Sequence, residues 1–229
     1  MRHEQAKANQ ADKSLEVPMA ISIVVIFGKP GSGKSTVSEK VVELFHSHQT
    51  IEPITTPTAR ATATATAIVT TLTSLDLDTC VPQWMKDNFA QGIYPTLSQR
   101  KEFAVGACDY VDEKLNAMRH ADKLIISFSF VNTDLRDVFR ERFLHAKWVL
   151  IDTNDAEAQH RIDQREDHFY KGARAQKKET GIAKDERTQI DQDNSEWNFA
   201  KVEFDHVVLD GIQSVEENAK RVLDLLLLD

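Results

Sequence analysis

Short apolar runs alternate with amphipathic segments along most of the chain. The runs are rich in β-branched residues and short, which predicts buried strands. We predict five of them, at Ile21–Phe27, Leu72–Leu77, Leu124–Phe130, Trp148–Ile151 and His206–Leu209. Apolar residues recur at helical spacing between the runs, which predicts helices over Val37–His48, Pro82–Gln91, Ser98–His120, Thr133–Leu144 and Ala156–Arg165. A last helix is predicted to begin after Ser214, because Glu217 three residues later completes a capping box.

This alternation predicts an α/β fold, a three-layer α/β/α arrangement with a five-stranded parallel sheet. Ligands of such sheets bind beyond the carboxyl ends of the strands. The edge predicted here carries the loop after Phe27, Asp76 and Asp78, Ser127 and Ser129, Asp152, and the segment after Leu209. We therefore expect the chemistry of the protein to take place at that edge.

The loop between the first strand and its helix has the spacing G-x-x-x-x-G-K-[ST]. This is the phosphate-binding P-loop, and a strand before it and a helix after it are the context that the motif requires. Its backbone N–H groups and the positive end of the following helix bind polyphosphate. The sequence therefore predicts a P-loop NTPase fold that binds ATP with Mg²⁺. The predicted nucleotide-binding residues are Gly28, Pro30, Gly31, Ser32, Gly33, Lys34, Ser35 and Thr36, with Lys34 at the β- and γ-phosphates and Ser35 on Mg²⁺.

Two carboxylates, Asp76 and Asp78, close the second predicted strand. Alternate residues of a strand share a face, so both side chains are expected to point toward the γ-phosphate. One could hold Mg²⁺ through water, and the other could accept a proton from an acceptor hydroxyl. The pair therefore favours phosphoryl transfer to a small molecule.

The segment after Arg161 is highly charged, and Arg161 and Arg165 are four residues apart on one helical face. Phosphoryl transfer spreads negative charge over the transferring group and requires that water be excluded. We interpret residues 161–197 as a helical and charged lid that closes over ATP, and Arg165 as a catalytic residue in it.

Composition narrows the possible functions. The length of 229 residues indicates one domain, which we place at 19–229 after a flexible tail at 1–18, with a low-complexity Ala/Thr insertion at 49–74. A net charge of −8 argues against a nucleic-acid partner. The two cysteines make no disulfide framework, and the sequence has neither a membrane-spanning apolar run nor the apolar core of a signal peptide. We expect a cytoplasmic monomer or homodimer that acts on a small-molecule acceptor, without membrane or nucleic-acid partners.

Several strings make the chain resemble the small-molecule kinases of the gluconokinase and shikimate kinase type. They are Asp76-Leu77-Asp78-Thr79-Cys80-Val81-Pro82, Gly92-Ile93-Tyr94-Pro95 followed by Arg100, Leu135-Arg136-Asp137, and Arg161-Ile162-Asp163-Gln164-Arg165-Glu166-Asp167-His168-Phe169. The resemblance implies Asp76 near Mg²⁺ and Asp78 on the acceptor hydroxyl. It also implies that Arg100 binds an acidic group of the acceptor, that Arg136 is among the substrate-binding residues, that Arg161 lies against adenine and that Arg165 reaches the phosphates.

The chain departs from this family on the acceptor side. Val81-Pro82 stands where gluconokinases usually have His-Pro, and Ser127-Phe128-Ser129-Phe130-Val131 stands in place of their Cys-Ser-Ala-Leu-Lys string. Gluconate therefore does not follow as the substrate. We predict a gluconokinase-like, ATP-dependent kinase that phosphorylates a hydroxyl of a small anionic metabolite. The alternatives are a nucleoside or nucleotide kinase and an ATP-binding regulatory module without transfer activity.

Overall fold

The computed structural model describes residues 21–49, 70–91, 93–165 and 199–228. Within these ranges, one sheet contains β1 Ser22–Phe27, β2 Leu72–Asp76, β3 Lys123–Phe128, β4 Lys147–Asp152 and β5 Val207–Asp210. The helices are α1 Lys34–Gln49, α2 Gln83–Ala90, α3 Leu97–Asn116, α4 Thr133–Arg142, α5 Asp155–Asp163 and α6 Val215–Leu227, and Leu77–Cys80 forms a 3₁₀ turn. The predicted tail at 1–18, residues 50–69 of the predicted insertion and the predicted lid beyond Arg165 lie outside the described residues.

The strands of the sheet are all parallel and stand in the order β2-β3-β1-β4-β5. β1 is central because Val24, Val25, Ile26 and Phe27 are apolar on both faces, and each is completely buried. The predicted five-stranded parallel sheet is confirmed. Its topology brings the P-loop after β1 and the end of β2 to the same edge, with β3 between them.

Each face of the sheet has its own apolar core. Ile26 and Ile125 pack on one face with Val37 and Val41 of α1, and residues of α6 join them. We call this side the α1 face. On the opposite face, Ile126 and its neighbours pack against residues of α2, α3 and α4. Alternate residues of β1 and β3 thus enter different cores, as a parallel strand between two helix layers requires.

Two predicted strands extend too far at their carboxyl ends. β2 ends at Asp76, whose carboxylate accepts a hydrogen bond from the N–H of Asp78 at 3.0 Å and turns the chain into the 3₁₀ turn. β3 ends at Phe128, and Phe130 has a left-handed backbone with a φ of 45°, which does not fit a strand.

Polar residues set several helix limits. Ser214 and Glu217 form the predicted capping box at the start of α6. α3 ends at Asn116 and α4 at Arg142, so the predicted limits at His120 and Leu144 are wrong.

No helix in the described ranges is long and apolar enough to cross a membrane.

Candidate active site

The P-loop lies between β1 and α1, at the carboxyl edge of the sheet. Gly31 and Gly33 have φ angles of 82° and 95°, a conformation that residues with side chains rarely adopt. A Cβ atom on Gly31 would collide with the backbone carbonyl of Ala158 in α5, whereas one on Gly33 would meet only the Arg161 guanidinium, at 3.6 Å. This curved glycine backbone, followed by the start of a helix, fits a polyphosphate ligand.

Lys34 is buried at the first position of α1. Its Nζ donates to the carbonyl oxygen of Lys29 at 2.9 Å. Burial lowers the pKa of Lys34 to about 8, while the charges of Asp78 and Asp76 oppose this shift and that of Arg165 adds to it. The structure therefore brings the four residues predicted to be catalytic into one charged cluster.

Asp76, the last residue of β2, faces the first turn of α1. Its Oδ2 accepts a hydrogen bond from Ser35 Oγ at 2.6 Å, and its Oδ1 accepts one from the N–H of Asp78 at 3.0 Å. A hydroxyl and a carboxylate are oxygen ligands of the kind that Mg²⁺ binds. The donor set of Ser35 and Asp76 thus fits the predicted Mg²⁺ site.

Asp78 reaches the cluster from the 3₁₀ turn and not from a strand, so the argument from strand alternation is wrong for this residue. Burial and the charge of Asp76 raise the pKa of Asp78 to about 6, against the opposing charges of Lys34, Lys86 and Arg165. Its Oδ1 is buried and has no hydrogen-bond partner among the described residues. A carboxylate in this state is suited to accept a proton.

Two further buried oxygens near the P-loop have no hydrogen-bond partner in the ranges that the structure describes. They are Ser32 Oγ in the loop itself and Ser127 Oγ near the end of β3. Buried polar atoms are nearly always hydrogen-bonded, so unpaired ones beside a phosphate-binding loop indicate that a ligand or water completes the site.

α5 forms one wall of the P-loop. Lys29 Nζ and Asp155 Oδ1 form an ion pair at 2.5 Å, and Arg161 donates to the carbonyl oxygens of Ser32 at 3.4 Å and Gly211 at 3.0 Å. Arg161 thereby connects the P-loop with the segment after β5. Its contact with adenine stays a prediction. Nothing in the sequence pointed to the pair of Lys29 and Asp155, which are 126 residues apart.

Arg100 is buried near the start of α3. Its Nε donates to Oδ2 of Asp134 at 2.9 Å, and its Nη1 donates to the carbonyl oxygen of Pro95 at 3.0 Å. These contacts tie the start of α3 to the first turn of α4. The predicted contact of Arg100 with an acidic group of the acceptor stays a prediction.

Arg136 is almost completely buried in α4, with 1% of its surface exposed. Its guanidinium donates to four backbone carbonyl oxygens, those of Phe130 at 2.7 Å, Val131 at 3.2 Å, Ala200 at 2.7 Å and Lys201 at 3.1 Å. Burial lowers the pKa of Arg136 to about 10, which leaves the side chain charged at neutral pH. The side chain therefore joins the chain after β3 to the chain before β5. Its predicted contact with the substrate stays a prediction.

Known proteins share this architecture. Residues 23–188 match the family described as AAA domain, AAA_33. The chain belongs to this AAA-domain family. No curated protein sequence matches this AAA-domain protein with significance.

Solved structures superpose on it over most of their length. A sugar kinase from Janibacter sp. has a TM-score of 0.60 at 20% identity, covering 90% of this chain and 94% of that one. The APS kinase of Mycobacterium tuberculosis in complex with AMPPNP and APS has a TM-score of 0.57 at 17% identity, and the match covers 90% of this chain and 98% of that one. A gluconokinase from Sinorhizobium meliloti has a TM-score of 0.52 at 19% identity, and the match covers 91% of this chain and 93% of that one. The predicted P-loop NTPase fold and the resemblance to small-molecule kinases are confirmed at the level of fold.

Proposed function

We propose that this AAA-domain protein is an ATP-dependent kinase that transfers the γ-phosphate of ATP to a hydroxyl of a small anionic metabolite. The observation that carries the proposal is the charged cluster at the edge of the sheet. There, Lys34 lies near two carboxylates, of which Asp76 is bound by Ser35 and Asp78 has an unpaired buried oxygen. The kinases among the solved structures with this fold support the same reaction class.

ATP is the phosphate donor in this proposal. Residues 28–36 and the Lys34 ammonium bind its phosphates, Arg165 adds positive charge beside them, and Arg161 lies against the adenine. Ser35 and Asp76 would hold Mg²⁺, which neutralises phosphate charge when it is bound. The protein itself contributes positioning and a water-poor, positively charged wall around the group that is transferred.

Asp78 is the proposed general base. Its carboxylate accepts the proton of the acceptor hydroxyl while the hydroxyl oxygen forms a bond to the γ-phosphorus. The bond between that phosphorus and the β,γ-bridging oxygen breaks, and ADP leaves with the electron pair. With a pKa of about 6, Asp78 is ionised at neutral pH and more basic than an ordinary aspartate, so it can take up this proton.

Positive charge on the acceptor side supports an anionic acceptor. Lys86 and Arg165 both lower the pKa of Asp78, so their charges lie close to the proposed base. Arg100 belongs to the proposed acceptor site through the family resemblance. Arg136 belongs to it through the two chain segments that its guanidinium holds together.

A panel of acceptors, incubated with the protein and ATP·Mg²⁺ and followed by ADP release, tests the proposal. We expect turnover with a sugar acid or another anionic alcohol, and turnover about 10²–10³-fold slower with the Lys34→Ala variant. Turnover of nucleosides or nucleotides alone would replace the proposed acceptor class. Tight ATP binding with no transfer to any member of the panel would instead identify a regulatory module.

We also propose that the protein is cytoplasmic and that it is a monomer or a homodimer. Light scattering of the purified full-length chain tests the oligomeric part. A larger defined assembly would contradict it.

A further inference from the structure

Two serine hydroxyls of α1 hydrogen-bond to two residues of β2. Ser35 Oγ donates to Asp76 Oδ2 at 2.6 Å, and the Oγ atoms of Ser38 and Ser74 form a second hydrogen bond of 2.6 Å. The two serines of α1 are three residues apart, and Ser74 and Asp76 are alternate residues of β2, so each set lies on one face of its element. The helix and the strand are therefore joined at two successive levels. We call Ser38 and Ser74 the serine pair.

The Ser38 hydroxyl is buried beside an apolar core. The residue is 1% exposed, and Val37 and Val41 of the same helix pack in the core on the α1 face. An apolar pair in place of two hydrogen-bonded hydroxyls is often about as stable, so the serine pair adds little net stability. A hydrogen bond differs from an apolar contact because it depends steeply on distance and angle. The serine pair is thus better suited to fix a position than to stabilise the fold.

β2 is held less firmly than the central strands. It stands at the edge of the described sheet, with β3 as its neighbour on one side. Leu72 near its start packs in the core on the α1 face, whereas Ser74 is exposed and Asp76 is half-buried. Apolar packing on this face therefore weakens toward the carboxyl end of the strand, where Asp76 lies. The hydrogen bonds to α1 are left to position that end.

We propose that Ser38 and Ser74 are positioning residues of the Mg²⁺ site, which hold β2 at the distance from α1 at which Ser35 and Asp76 both reach the cation. The inference rests on the ATP·Mg²⁺ site of the proposed function. Mg²⁺ requires nearly ideal octahedral geometry with oxygen ligands at about 2.0–2.1 Å, so a small shift of one ligand weakens binding. Residues that orient metal ligands typically change metal affinity by about 10–100-fold when they are substituted.

The test is a Mg²⁺ titration of the binding of a fluorescent ATP analogue to the full chain, without an acceptor. Ser38→Ala, Ser74→Ala and the double variant should each need about three- to tenfold more Mg²⁺ for half-maximal binding. The double variant should shift no further than the single ones, because all three lack the same bond. Nucleotide affinity in EDTA should equal that of the wild type. Ser47→Ala is the control, since Ser47 Oγ bonds to the Glu43 carbonyl oxygen on the exposed side of α1.

Urea unfolding in EDTA separates positioning from stability. Ser74→Ala should lower the urea midpoint, because it leaves the buried Ser38 hydroxyl without its partner, whereas the double variant should unfold close to the wild type. Val41→Ala supplies the opposite case. It opens a cavity in the core beside α1 and should lower the urea midpoint. Its Mg²⁺ midpoint should stay that of the wild type, since both cross-links to β2 are kept.

A double variant with the wild-type Mg²⁺ midpoint would overturn the inference, and so would an equal shift in Val41→Ala or Ser47→Ala. A wild-type protein that binds no nucleotide would overturn the proposed function itself. The two failures are distinguishable, because the first requires a wild-type protein whose nucleotide binding is strengthened by Mg²⁺.

Discussion

The Nζ atom of Lys34 donates to the carbonyl oxygen of Lys29, so the ammonium closes back on its own loop at 2.9 Å. It is held there although burial lowers its pKa to about 8. The nearby carboxylates of Asp76 and Asp78 offset part of this cost. The charge of Lys34 is thus kept in the interior at a stability cost, which is typical of residues retained for their chemistry.

Lys34→Ala should lower the rate of phosphoryl transfer by about 10²–10³-fold, because it removes the positive charge at the transferred group. The melting temperature should not fall, since the variant removes a poorly solvated charge. Stopped-time ADP assays and thermal unfolding give the two values. Lys40→Ala is the control, since Lys40 lies on the same helix in an exposed pair with Glu43. Equal activity of the two variants would contradict the assignment.

Asp78→Asn should lower kcat by about 10²–10⁴-fold, because the amide cannot accept the proton of the acceptor hydroxyl. The ATP dissociation constant should change little, since the proposed nucleotide contacts lie elsewhere. Asp87→Asn, in an exposed residue of α2, is the control and should behave as the wild type. An unchanged kcat in Asp78→Asn would exclude Asp78 as the base.

The sequence was sufficient for the parts of the fold that local pattern determines. The β-branched run before the P-loop, the spacing of its glycines and the strand–helix alternation predicted the sheet and the edge that carries the P-loop and Asp76. Asp78 shows where this reasoning ends. The structure has Asp78 near Lys34, but not through strand alternation, because the N–H of Asp78 donates to the Asp76 carboxylate and the chain turns out of the strand.

Contacts between distant segments were beyond the sequence. Arg136 binds the carbonyl oxygen of Ala200, 64 residues away, and Phe130 adopts a left-handed backbone beside it. No periodicity or spacing encodes either feature, because both depend on how the two segments pack. The resemblance in Leu135-Arg136-Asp137 therefore implied a substrate contact for Arg136, whereas its hydrogen bonds in the described residues go to backbone carbonyl oxygens.

Gly31→Ala should weaken ATP binding by roughly tenfold or more, since the added Cβ would have to move the loop away from the Ala158 carbonyl. Gly106→Ala is the matched control. It lies inside α3 with open space around its Cα, so it should stabilise the protein by about 0.5–1 kcal/mol without changing ATP affinity. Calorimetric titration with ATP·Mg²⁺ and thermal unfolding measure both effects. Similar ATP affinities in the two variants would contradict the role of Gly31.

Arg136→Met should lower the free energy of unfolding by roughly 3 kcal/mol or more, because it leaves two buried and two partly buried carbonyl oxygens without their donor. Arg142 is the control, since it lies on the same helix as Arg136 and forms an ion pair with Asp112 of α3 at the surface. Arg142→Met should cost less than about 1 kcal/mol. Urea unfolding measures both. A stable Arg136→Met variant with a raised acceptor KM would instead support direct substrate binding.

Asp122→Asn should lower the free energy of unfolding by about 1–3 kcal/mol at pH 7. The Asp122 carboxylate accepts hydrogen bonds from Arg119 and from the N–H of Thr71, and these hold its pKa well below the usual range. A lowered folded-state pKa stabilises the protein above the unfolded pKa of about 4, and this contribution is lost as the pH falls toward the folded value.

The difference between wild type and Asp122→Asn should therefore be full at pH 6–7 and shrink below about pH 4. Unfolding curves at several pH values measure it. Asp137→Asn, in an exposed pair with Arg140, is the control and should show little difference at any pH. A difference in the free energy of unfolding that grows as the pH falls would contradict a lowered pKa of Asp122.

The hydrogen bond between Asp122 and Thr71 at the start of β2 also affects Asp76 at its other end. Thr71 is bound to Asp122 through its N–H and to Lys123 through its carbonyl oxygen, which fixes where β2 begins beside β3. If the strand slipped by a single residue, Asp76 would turn away from Ser35 toward the opposite core. A substitution at Thr71 or Asp122 could then lower activity in the same way as a substitution in the candidate active site, although every residue of that site was unchanged.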